Sequence, residues 1–162
     1  MHTITNQAMI SESNTSTRSS METSTSDPRD LWVPKGMPST QKKRILLIDD
    51  EPLVRNVQMH ILESAGFEVV IARDGHEGVE IYKREIGNID LVVLDYTMPG
   101  MNGMETWLLL RDLDPEIRVI FCSGNCPPKE VTLMLARGVR GYVQKPFLIA
   151  DFIPAINRAL ED

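Results

Sequence analysis

Three aspartates, a serine and a lysine each stand just beyond a short apolar run. Asp49-Asp50 follow Arg44 to Ile48, Asp95 follows Ile89 to Leu94, Ser123 follows Ile117 to Cys122, and Lys145 lies two residues past Val139 to Val143. Brought to one edge of a fold, three carboxylates a few ångströms apart repel one another, by about 4 kcal/mol per charge pair at roughly 4 Å and an effective dielectric near 20. A divalent cation relieves that repulsion. All-oxygen ligands, few of them from protein and the rest water, suit Mg²⁺ better than the crowded shell of Ca²⁺, and Mn²⁺ is a substitute that such ligands also accept. A carboxylate beside such a cation and a lysine ammonium can act as a nucleophile toward phosphorus, because phosphoryl transfer depends chiefly on positioning and charge neutralisation.

The elements that must position these residues are legible as alternating periods. Pro52 to Ala65 carries Leu53, Val57, Ile61 and Leu62 at the spacing of one helix face, with Pro52 suited to a first turn and Gly66 as the stop. Phe67 to Ala72 reads as a second strand, Asp74 as the cap of a helix running through Arg84, and Ile89 to Leu94 as a third strand. Helices over Met104 to Leu113, Lys129 to Arg137 and Asp151 to Leu160 alternate with strands over Ile117 to Cys122 and Val139 to Val143. Five Val/Ile/Leu-rich strands alternating with five helices predict a doubly wound α/β fold, a parallel sheet covered on both faces. Such sheets place their sites beyond the carboxyl ends of the strands, which is where all five polar residues fall.

Four segments then carry a family resemblance: Ile45-Leu46-Leu47-Ile48-Asp49-Asp50-Glu51-Pro52, Leu94-Asp95-Tyr96-Thr97-Met98-Pro99-Gly100-Met101-Asn102-Gly103, Ser123-Gly124, and Tyr142-Val143-Gln144-Lys145-Pro146-Phe147. In this order, each at a strand end, they resemble a two-component response-regulator receiver domain, similar to single chemotaxis-type receivers and to the C-terminal receivers of hybrid sensor kinases. The resemblance implies a flavodoxin-like sheet of order 2-1-3-4-5, with Asp95 as phosphoacceptor from a histidine kinase, a histidine phosphotransfer protein or a small phosphodonor. It implies that Asp50, Asp95 and the backbone carbonyl of Thr97 bind Mg²⁺, that Asp49 holds the ion through water, and that Lys145 pairs with the phosphoryl group. Ser123 and Tyr142 are the implied switch. They would report phosphorylation to a downstream protein at the face of the fourth helix, fifth strand and fifth helix, in a monomer or a phosphorylation-dependent dimer. On this reading the chain is a phosphoacceptor signalling domain rather than an enzyme, with Mg²⁺-dependent self-phosphorylation and self-dephosphorylation, and no output domain is expected on it.

The resemblance covers 42–162. Residues 1–41 are Ser/Thr-rich, especially Ser11 to Ser26, and lack the apolar surface to offset their ordering entropy, so a disordered tail is expected there. Within it Leu31-Trp32-Val33-Pro34 is an apolar island, read as a semi-rigid extended linker. The start has neither the basic nor the apolar region of a secretory signal, and no apolar run approaches membrane-span length. A net charge of −6 without a long basic run argues against direct nucleic-acid binding, and two cysteines are too few for a disulfide framework, so a cytoplasmic protein is expected.

Each residue alone has a plainer explanation. Asp49-Asp50 can be a helix cap and a first-turn acid, Lys145 an exposed loop lysine, and Tyr142 a half-buried strand aromatic. Cys122 and Cys126 lack the other ligands of a zinc site, and His60 and His76 read as solvated surface. An aspartyl phosphatase of the haloacid dehalogenase type needs a second acid two residues past the nucleophile, where this chain has Thr97; a nucleotide-binding loop after the first strand is absent. Pro154 conflicts with the last helix unless that helix starts late, near Asp151, which leaves the missing amide among the first-turn donors.

Overall fold

The computed structural model describes residues 41–161. The disordered tail expected over 1–41, with Leu31-Trp32-Val33-Pro34, lies outside the described residues apart from its last position. Ten elements alternate: β1 Arg44–Ile48, α1 Pro52–Ser64, β2 Glu68–Ala72, α2 Gly75–Arg84, β3 Leu91–Leu94, α3 Gly103–Leu113, β4 Val119–Ser123, α4 Pro128–Ala136, β5 Gly141–Gln144 and α5 Ile149–Leu160. All strand pairings are parallel, in the order β2-β1-β3-β4-β5. This is the doubly wound flavodoxin-like sheet that the sequence implied.

Successive strand side chains point to opposite faces, and the core divides accordingly. Leu46, Ile48, Val92, Leu94, Val119 and Phe121 pack with Val79 and Tyr82 of α2, Trp107 and Leu110 of α3, and Met134 of α4. Ile45, Leu47, Leu91, Val93, Ile120 and Cys122 pack on the other face with Leu62 of α1 and Phe152, Ile156 and Ala159 of α5. Because β1, β3 and β4 are covered on both sides, all their residues but Arg44 at the start of β1 are buried, which is why they read as near-continuous apolar runs.

Two helices depart from expectation. In α1 the Leu53–Val57 stripe faces outward, with Leu53 81% and Val57 57% exposed, while the fully buried positions are Gln58 and Leu62. A polar residue therefore occupies the core-facing line of this helix, and periodicity alone selected the neighbouring stripe. The helix α5 starts earlier than expected, at Ile149, and Pro154 lies inside it. The proline removes the donor for the Ala150 carbonyl; both residues are exposed, so water replaces that partner instead of the helix ending. By contrast α1 stops as expected, with Gly66 at φ +95° directly after the helix cap, donating to the Glu63 carbonyl at 3.0 Å.

The start of α3 lies hard against the end of β3. A methyl group at Gly103 would stand 2.3 Å from the Asp95 carbonyl oxygen and 2.8 Å from Tyr96 Cα, both backbone atoms without a rotamer to relieve the clash. Gly103→Ala is therefore expected to cost about 1–3 kcal/mol of stability. At Gly124 the nearest atoms would lie at 3.8 Å, so Gly124→Ala should stay within about 0.5 kcal/mol. Urea midpoints of the two variants against wild type check this contrast.

Candidate functional site

The sheet ladder continues one residue past the strands, and that extra step places the site. Asp49 N–H donates to the Ala72 carbonyl at 3.2 Å, Asp95 N–H to the Ile48 carbonyl at 2.9 Å, and Lys145 N–H to the Ser123 carbonyl at 3.0 Å. Backbone pairing thus brings Asp49, Asp95, Ser123 and Lys145, contributed by four strands, to one edge. Carboxylate oxygens of Asp49, Asp50 and Asp95 lie within 4.8 Å of one another.

Lys145 joins the two buried acids. Its Nζ donates to Asp49 Oδ2 at 2.6 Å and to Asp95 Oδ2 at 2.8 Å, with Asp49 1% and Asp95 5% exposed. Burial by itself disfavours the ammonium, but the hydrogen bonds to Asp49 and Asp95 and the attraction of their charges outweigh it and hold the Lys145 pKa above its ordinary value. The remaining oxygens are held by backbone: Glu51 N–H donates to Asp49 Oδ1 at 2.9 Å and Thr97 N–H to Asp95 Oδ1 at 3.0 Å. From α1, Gln58 Nε2 donates to Asp49 Oδ2 at 3.0 Å and Arg55 Nη1 to the Asp49 carbonyl at 2.5 Å.

This arrangement decides against the capping explanation of the acidic pair. The N-cap of α1 is Glu51, without a side-chain cap bond, and the first turn holds no acid. Asp50 instead keeps one buried oxygen, Oδ1, without a hydrogen-bond partner, and Ser123 Oγ is likewise buried and unpartnered. A buried, unsatisfied carboxylate oxygen beside two more acids fits a hard cation, and the all-oxygen donor set fits Mg²⁺. The orphaned Ser123 hydroxyl still has its donor to give.

Tyr142 is half-buried on β5, and its hydroxyl donates to the Ser123 carbonyl at 2.9 Å. Burial first, and nearby negative charge second, raise the Tyr142 pKa, so it stays a neutral phenol. Thr97 is exposed on the rim of an open cleft of ≈640 Å³ that also reaches Asp95, Ser123 and Lys145 and is walled by Leu53 and Val57. Asp49, Asp50, Asp95, Thr97, Ser123 and Lys145 therefore fall on this edge, whereas Tyr142 lies within β5, opposite Phe121, and reaches the edge only through the Ser123 carbonyl. Gln58 and Arg55 were not anticipated; the signal for Gln58 was a polar residue four positions from both Val54 and Leu62, on the line that turns toward the sheet.

Among the described residues, neither the cysteines nor the histidines add a side chain to the acidic cluster. Cys122 and Cys126 are free thiols, and His60 and His76 are exposed. Desolvation pushes the Cys122 thiol up to about 12, against a lesser pull from Lys145.

Comparison with known proteins agrees on one family. The model of the response regulator receiver domain matches residues 45–157. The chemotaxis protein CheY of Bacillus subtilis is 36% identical over 118 residues, 72% of this chain and 97% of that protein. The CAI-1 autoinducer sensor kinase/phosphatase CqsS of Vibrio cholerae is 36% identical over 111 residues, 67% of this chain but 16% of that protein. Among solved structures, the CheX–CheY–BeF3–Mg²⁺ complex from Borrelia burgdorferi matches with TM-score 0.71 and 30% identity, over 74% of this chain and 90% of that one.

Two outcomes follow from the geometry. Asp50→Ala removes a buried, unsatisfied oxygen and one of three repelling charges, so without metal it should raise stability by about 1 kcal/mol; Mg²⁺ should raise the thermal midpoint of the wild type and not of this variant. Burial raises both thiols, but Cys122 is shut away from solvent while Cys126 is partly exposed, so native protein treated with iodoacetamide at pH 8 should alkylate once, at Cys126; mass spectrometry should show two additions only after unfolding.

Proposed function

Because this chain belongs to the response regulator receiver domain family, the phosphoacceptor signalling domains of two-component systems, we propose that Asp95 is its phosphoacceptor. The observation that carries the assignment is the position of Asp95: buried at the end of β3, flanked by two further acids, with one oxygen on Lys145 and the other on the Thr97 amide. A carboxylate oxygen of Asp95 attacks phosphorus, the bond from phosphorus to the donor's histidine nitrogen or leaving oxygen breaks, and an acyl phosphate forms. Asp50, Asp95 and the Thr97 carbonyl, with Asp49 through water, would hold Mg²⁺ or, in its place, Mn²⁺, and the ion would supply positive charge beside the transferring group. Lys145 carries the second positive charge and moves from the carboxylates to the phosphoryl oxygens. The same site returns the group to water, so self-phosphorylation and self-dephosphorylation are its whole chemistry.

Donor and output follow from the family. Receivers interact with histidine kinases and with downstream proteins; for this chain a histidine kinase or histidine phosphotransfer protein is the donor. Ser123, whose buried hydroxyl has no partner, donates to a phosphoryl oxygen. Such a bond draws the β4–α4 loop inward. Tyr142 already reaches the Ser123 carbonyl and would carry that movement to the α4-β5-α5 face, where a downstream protein or a second copy binds. The functional unit spans 42–162, with 1–41 as a tail, and acts in the cytoplasm; no helix among the described residues is long and apolar enough to cross a membrane.

Incubated with acetyl phosphate or phosphoramidate, the wild type should gain a single phosphoryl increment in intact mass that requires Mg²⁺ and is lost in Asp95→Asn. No increment in folded protein under any condition would sink the assignment. Ser123→Ala and Tyr142→Ala should each take up the phosphoryl group yet lose the dependence of partner affinity on it; affinity that still responds fully would refute the switch route.

A further inference from the structure

Gln58 is the one fully buried polar side chain on the sheet-facing line of α1 among the described residues, and it spends its donor on the site. Its Nε2 meets Asp49 Oδ2 at 3.0 Å, the same oxygen that accepts Lys145 at 2.6 Å, while Oε1 is buried without a partner. The orientation of the amide is set by charge, because a turned amide would put its carbonyl oxygen against a carboxylate. A buried glutamine that satisfies only half its amide is costly in a helix whose other core-facing positions are apolar. Packing does not account for it: a leucine or methionine fills the same volume with no orphaned oxygen. Gln58 also lines the cleft that opens onto Asp95 and Lys145.

We propose that Gln58 is a positioning residue for the cation site, resting on the Mg²⁺ reading above. Its amide fixes the Asp49 carboxylate, and its free oxygen accepts a hydrogen bond from a water of the ion's shell. The need for it arises from Lys145. Asp49 Oδ2 is held by two donors at rest, and when Lys145 turns to a phosphoryl group only Gln58 keeps that oxygen in place. A neutral amide does this without adding positive charge to compete with the metal, which a lysine or arginine at the same position would do. Because Asp49 holds the ion through water, Gln58 orients an outer-shell carboxylate, and its removal belongs at the lower end of the about 10–100-fold loss of metal affinity that outer-shell partners produce.

The test is isothermal titration of metal-free wild type, Gln58→Met and Gln58→Leu with MgCl₂, alongside thermal midpoints without metal. Both variants should keep or raise the metal-free midpoint, since an unsatisfied amide has gone, and should bind Mg²⁺ about tenfold more weakly. Affinity within twofold of wild type in a folded variant would overturn the proposal and leave Gln58 as packing. A wild type that binds no Mg²⁺ would instead remove the metal reading itself, which is a distinguishable result. Should neither variant fold, the wild type decides alone: the Gln58 side-chain amide signals in a ¹H–¹⁵N spectrum should shift and stay protected from exchange on adding Mg²⁺, and signals that do neither would refute the role.

Discussion

One ammonium nitrogen, on Lys145, lies within 2.8 Å of two carboxylates that are almost wholly shut away from water. Carboxylates so placed are tolerable only as partners of something positive, and a cation so placed is tolerable only among acids. The rest of the molecule serves that mutual dependence. The ladder bonds beyond β1, β3 and β5 fix where the three side chains start; the apolar layers on both faces of the sheet exclude water from below; and the missing side chain at Gly103 lets α3 close against the back of Asp95. The opening above the group is left to solvent, so anything that binds Asp95 or Lys145 must arrive from that side.

Much of this was legible in the chain. The double-sided burial of β1, β3 and β4 made them near-continuous apolar runs, and polar residues directly after such runs marked the sheet edge where they converge. Asp74 and Gly66 marked helix ends by ordinary capping chemistry. What was not legible depended on which of two adjacent stripes a helix turns inward. In α1, Leu53 and Val57 supplied the stronger apolar rhythm, yet the helix presents Val54, Gln58 and Leu62 to the sheet, because Asp49 offers Gln58 a partner that no periodicity can register. Pro154 misled for a related reason. A proline inside a helix is expensive when the carbonyl it strands is buried, and here the residue that carries it, Ala150, is exposed.

Three buried oxygens without a hydrogen-bond partner, Asp50 Oδ1, Gln58 Oε1 and Ser123 Oγ, belong to residues of the site, whereas the apolar core is built from side chains that have no hydrogen bonds to lose. A fold optimised only for stability would fill these positions with hydrocarbon. Leaving donors and acceptors unspent at one edge keeps part of the folding energy in a form that an ion and an anionic group can release on binding, so stability and responsiveness trade against each other in the same few residues.

The Lys145–Asp49 pair spans 96 residues of chain. During synthesis at about 5–20 residues per second, the acids of β1 leave the ribosome about 5–20 s before the lysine that neutralises them. For that interval the nascent sheet carries an uncompensated acidic edge and lacks β5. No partly made chain holds the complete Lys145–Asp49–Asp95 group, which closes only once translation has passed the fifth strand.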